Sequence, residues 1–140
     1  MTRKCIRNAA RSSHNGDDGP GRLTQWPCQL RLVPLHAPYL EHADLLIAAD
    51  CSAFAYAGIH RDFMHRRITL IGCPRLDGED YAETLTRILT DHTVKSVTVL
   101  RMEVSCCSEL ESAVRRALQA SGKAIPCQTV ILTTDGNILE

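Results

Sequence analysis

The 140-residue chain is the length of one ordinary domain, and hydrophobic residues make up 44% of it, enough for a core of its own. Sixteen Lys and Arg balance sixteen Asp and Glu, which leaves no basic field for nucleic acid, and a 4% aromatic content is too low for a base-stacking platform. No apolar run approaches the roughly 18 to 20 residues that span a bilayer, so neither a membrane nor a nucleic acid is expected as partner.

Residues 1–22 are expected to be a disordered basic tail. Arg3, Lys4, Arg7, Arg11 and Arg22 outweigh Asp17 and Asp18, and Gly16, Gly19, Pro20 and Gly21 break regular structure. The tail has no apolar h-region, and its paired aspartates suit a mitochondrial-type leader poorly, so a cytoplasmic location is expected. Residues 23–140 are expected to form a single α/β domain.

In chain order, Cys28 to Val33 alternates apolar and polar residues, the pattern of a half-exposed strand. Asp44 to Asp50 (DLLIAAD) is a continuous apolar run, as in a strand buried on both faces. Ser52 to Arg66 suits a helix weakened by Gly58, and Ile68 to Gly72 a second buried strand. A helix from Glu79 to Asp91 follows, with Tyr81, Leu85, Ile88 and Leu89 on one face and Asp77 as its cap. Val94 to Leu100 is the third buried strand. Ser108 and Glu111 then form an S-x-x-E capping box for a helix lined by Leu110, Val114 and Leu118 and ended by Gly122. Cys127 to Thr134 is the last strand. Strands and helices alternating at this spacing predict a three-layer α/β/α domain with a mostly parallel sheet of about five strands.

Seven cysteines in a cytosolic chain direct attention to metal or redox chemistry, because disulfides are scarce in that compartment. Cys51 and Cys73 each follow a predicted strand, and the adjacent Cys106 and Cys107 follow a third, just before a helix. In an open parallel sheet the strand carboxyl ends share one edge, where ligands bind. Thiols far apart in sequence are therefore expected to meet in one crevice, provided that the three strands are neighbours. A helix amino terminus carries partial positive charge, which favours thiolate, the form that binds metals and attacks electrophiles. Four thiolates suit tetrahedral zinc or an iron–sulfur cluster, although no C-x-x-C pair occurs. Small, apolar cysteine also packs well in cores, which is the expected role of Cys28 and Cys127; Cys5 reads as a free thiol.

Other polar residues carry less. His60, Arg61 and Asp62 read as a solvated helix face, and His36, His42, His65 and His92 lack ligand-like spacing. With no G-x-G-x-x-G, P-loop or G-x-S-x-G, no nucleotide cofactor or serine nucleophile is indicated.

The segments QWPCQLRLVPLHAPYLEHADLLIAADCSAFAYAGIHRDF, LIGCPRLD and SVTVLRMEVSCCSEL resemble the carboxyl-terminal domain of a ferredoxin-like iron–sulfur protein family of anaerobic bacteria and archaea. The likeness runs over about residues 24 to 138, and Cys51, Cys73, Cys106 and Cys107 match the family's motifs. Two departures stand out: Ser108 replaces the glycine that usually follows the cysteine pair, and the basic tail stands where an amino-terminal module carrying [4Fe–4S] clusters is usual. The resemblance implies electron transfer with a redox partner such as a ferredoxin. Three functions are thus expected to compete. In the first, the four cysteines hold an iron–sulfur cluster, zinc or another thiophilic metal. In the second, Cys106 or Cys107 serves a metal-free thiol redox protein. In the third, the crevice binds a partner or small ligand and its cysteines are packing.

Overall fold

The computed structural model describes residues 21–139; residues 1–20 of the tail expected over residues 1–22 lie outside them. Five strands form one sheet in the order β2-β1-β3-β4-β5. They are β1 (Asp44–Ala49), β2 (Ile68–Gly72), β3 (Ser96–Met102), β4 (Cys127–Leu132) and β5 (Ile138–Leu139). The first four are mutually parallel, and β5 runs antiparallel to β4. The expected α/β class and mostly parallel sheet are those observed.

Two of the three apolar runs, β1 and β3, lie inside this sheet, and the third, β2, is its edge strand, flanked only by the bridge from Gln29 to Ile71. Leu45, Leu46, Ile47 and Ala48 of β1 are all 0% exposed, although successive side chains on a strand point to opposite faces. Both faces must therefore be covered. The chain steps from β1 to β2 in one direction, then back past β1 to β3 and on to β4. Right-handed crossovers place those opposite steps on opposite faces of the sheet. One layer holds α3 (Ala82–Asp91) and α4 (Ser108–Ser121), which pack on each other. Across the sheet runs the β1–β2 connection, with the single turn α1 (Ser52–Ala55) and a π-helical turn at His60–Met64. Each large side chain fully buried in this core contributes about 1.5 to 3 kcal/mol.

Several local expectations are corrected. Cys28 to Val33 is not a strand. Only Gln29 bridges to Ile71, and the chain then turns, with the Leu32 and Val33 amides both donating to the Gln29 carbonyl. Leu30 and Val33 are the buried residues there, and their spacing of three belongs to a turn rather than to a strand's period of two. The fifth strand is instead β5, paired through Ile131 with Leu139 and Leu132 with Ile138. The expected helix from Ser52 to Arg66 is broken between Ala55 and His60, around Gly58. Helix α3 starts at Ala82 with Tyr81 at its N-cap position, and Asp80, just ahead of it, accepts the Ala82 amide at 3.0 Å; Asp77 belongs to a separate turn, α2 (Pro74–Asp77).

The Ser108–Glu111 capping box does not form. A 3-10 turn at Ser105–Cys107 precedes α4, and the Ser108 hydroxyl donates back to the Ser105 carbonyl. Glu111 turns away to meet Arg101 of β3 at 3.0 Å and Arg115 at 2.7 Å. Helix α4 does end as expected, on Gly122 in the left-handed conformation.

The Arg115 hydrogen bond is the main reason that the Glu111 carboxyl is held below its usual pKa. A carboxyl that ionises more readily when folded stabilises the fold fully above its unfolded pKa, about 4.3, and loses that stabilisation as pH falls through the lower folded value. Glu111→Gln is expected to cost about 1 kcal/mol at pH 7 and to flatten the loss of stability below pH 4, measured by urea unfolding across pH.

Candidate functional site

The strand order reverses between β1 and β3, the place where open α/β sheets bind ligands. A cavity of about 350 Å³ opens there, at the strand carboxyl ends. Cys51 follows β1, Cys73 follows β2 and Cys107 follows β3, and all three line this cavity. The three parent strands are direct neighbours in the order β2-β1-β3, which is why residues 22 and 34 positions apart come together. The thiols are graded in exposure: Cys51 exposed, Cys73 half-buried and Cys107 buried. Cys106 shares the 3-10 turn with Cys107, but its side chain lies outside the described part of the structure.

Local chemistry shapes each wall. After β1, the Ser52 hydroxyl donates to the Ala49 carbonyl at 2.6 Å and closes the turn that carries Cys51. After β2, Pro74 opens α2 directly behind Cys73, where a missing amide hydrogen costs nothing. After β3, the chain passes through Met102 and Val104 into the 3-10 turn. The β4–β5 hairpin closes the remaining side with Thr134. Its Gly136 has φ 93°, and a Cβ there would lie 2.5 Å from the Ala55 carbonyl oxygen, so only glycine brings this hairpin against α1.

Cys127 opens β4 at the far, amino edge of the sheet, where it is exposed and not the core-packing residue expected; partial desolvation of its thiol pushes the pKa up. The Cys28 carbonyl accepts the Ile71 amide along the outer side of β2. Neither lines the crevice. Among the described residues, no group of three or more His, Cys, Asp and Glu could hold a metal ion as placed. His60 accepts the Arg22 amide through Nδ1 at 3.0 Å.

The crevice also contains residues that the pattern of cysteines does not reveal. Phe54 is 94% exposed on its rim. A position three residues beyond Cys51, in a chain with only two phenylalanines, was the available signal. Met102, Val104 and Leu110 add apolar wall. They arrive by the same topology as the thiols, without a motif of their own.

A parallel sheet with order 2-1-3-4, crossovers on both faces and a crevice at the reversal defines the doubly wound α/β class. Residues 37–140 match a Rossmann-like domain family, and the chain belongs to that family. An uncharacterised protein of Archaeoglobus fulgidus is 33% identical over 117 residues, covering 83% of this chain and 82% of the relative. No solved structure matches. Within this fold the first turn after β1 reads Asp50-Cys51-Ser52-Ala53-Phe54. It has a thiol and no glycine where dinucleotide-binding members carry their glycine-rich phosphate turn. Among the described residues no helix is long and apolar enough to cross a membrane.

Proposed function

We propose that this is a metal–thiolate domain. Cys51, Cys73, Cys107 and the adjacent Cys106 would hold a thiophilic centre, an iron–sulfur cluster or zinc, in an electron-transfer role beside a redox partner such as a ferredoxin. The observation that carries this reading is the delivery of one cysteine from each of three neighbouring strand ends to a single cavity. The donor chemistry fits, since thiolates are the ligands of choice for both centres. A cavity of about 350 Å³ also has room for more than one ion. The described side chains do not form a closed ligand set, so loading requires the connections after β1 and β3 to draw inward, or Cys106 to complete the set. A bound cluster would supply one-electron chemistry, whereas zinc would supply structure alone.

The same open arrangement of donors favours a second reading, a metal-free thiol redox protein in which Cys106 or Cys107 attacks and a neighbouring crevice thiol resolves. Anaerobic expression followed by assay of iron, sulfide and zinc per chain separates the two. The expected result is one thiophilic centre per chain. Protein that stays metal-free after anaerobic reconstitution would overturn the metal reading. Loss of two titratable thiols with a mild oxidant would then support the redox one.

A further inference from the structure

Beneath the Cys73 wall of the crevice lies a buried phenol. Tyr81, just ahead of α3, is 2% exposed. Its hydroxyl donates to the Asp77 carboxylate of α2. The same oxygen lies so close to the end of β2 that a Cβ on Gly72 would sit 2.7 Å from it. The Asp77 amide in turn donates to the Cys73 carbonyl at 2.9 Å. Arg31, from the turn beside β2, reaches over to hold Asp77 at 3.5 Å and Glu79 at 2.5 Å. One hydroxyl therefore meets the end of β2, the turn α2 and the start of α3, and Cys73 stands where they join.

A phenylalanine would fill the same ring volume without a polar group to satisfy, and burying a hydroxyl costs free energy unless it is hydrogen-bonded. The partner named for this one, Asp77, lies in the short segment around Cys73. Burial, reinforced by the Asp77 hydrogen bond, pushes the phenol pKa up, so the group stays protonated and remains a donor at neutral pH. We propose that Tyr81 is the positioning residue of the thiol crevice: its hydroxyl anchors Asp77, whose amide holds the Cys73 carbonyl, and so keeps this cysteine on the wall shared with Cys51 and Cys107. The proposal rests on the reading of the crevice as a thiol site, but its test needs no bound metal.

The test is site-resolved alkylation of the reduced, metal-free chain with limiting iodoacetamide, quantified for each cysteine by peptide mass spectrometry. In Tyr81→Phe the Cys73 rate is expected to rise at least fivefold, while Cys51 and Cys127 stay within twofold of the parent. Asp77→Asn keeps a carbonyl oxygen as acceptor and is expected to leave Cys73 near the parent rate. A Cys73 rate within twofold of the parent in folded Tyr81→Phe would overturn the proposal. So would an equal rise at all three cysteines, which is the mark of general loosening. Should Tyr81→Phe fail to fold, Asp77→Ala removes the acceptor from a partly exposed position, and the same Cys73-selective rise is required of it. Metal assay of the parent protein decides the crevice reading separately, because the alkylation result stands whether or not metal binds.

Discussion

Gly72→Val is expected to destabilise the chain by about 3 kcal/mol. A Cβ built on Gly72 would lie 2.7 Å from the Tyr81 hydroxyl oxygen and 2.8 Å from the ring carbon that bears it. Valine would then add two methyl groups around that point. Gly72 is not among the glycines with positive φ, so it is required here for space rather than for conformation. Removing glycine from a strand interior is by itself worth about 0.5 to 1 kcal/mol in favour of the variant, which the clash must outweigh. It does so because Tyr81 has nowhere to go: it is 2% exposed and bonded to Asp77. Urea unfolding is expected to show a lower midpoint at unchanged slope, with a fall in Tm on the order of 10 °C. Combining Gly72→Val with Tyr81→Leu shortens the obstructing side chain, and the double variant is expected to be less destabilised than the sum of the singles by about 1 kcal/mol. A Gly72→Val chain as stable as the parent would show that Tyr81 moves freely and would remove the packing argument for this corner.

What could be read from the sequence follows from how each element is buried. The runs around Leu46, Leu70 and Val99 are mostly apolar because their strands are covered on both faces; periodicity alone does not separate such a run from a buried helix, but their shortness and β-branched content do. The segment around Leu30 reads as a strand for a physical reason: apolar residues at 28, 30 and 32 alternate, but Leu30 and Val33 are the ones buried, Leu32 is 65% exposed, and the amides of Leu32 and Val33 close a turn on Gln29. Strand β5 has two residues, too few for any periodicity. The capping box failed because Glu111 pairs with Arg115 one turn on and lies beside Arg101 of β3, and the second of these comes from across the fold, where no local pattern encodes it. The same division holds at the site. Cysteines placed after successive strands were legible because a parallel sheet collects its carboxyl ends on one edge. The Tyr81–Asp77–Gly72 packing was not, because it depends on where α2 and α3 come to rest against β2.

Replacing single crevice cysteines is expected to have the largest effect on binding. With cadmium as a spectroscopic probe added to the reduced chain, the parent is expected to show thiolate-to-metal charge-transfer absorption that saturates at one centre per chain. Loss of a group that only supports a metal ligand typically costs 10- to 100-fold in affinity. Loss of a ligand itself is therefore expected to cost on the order of 100-fold or more in Cys51→Ser, Cys73→Ser or Cys107→Ser. Cys127→Ser should bind as the parent does, because Cys127 lies at the opposite edge of the sheet. The contrast matters more than any single value. Equal losses in all four variants would indicate unfolding, whereas losses confined to one cysteine would indicate a lone reactive thiol and no shared centre. Binding must displace thiol protons, so affinity is expected to weaken steadily as pH falls from 8 to 6. A pH-independent affinity would mean that cadmium is held by carboxylates such as Asp50, which also lines the crevice, and the thiolate assignment would then fall.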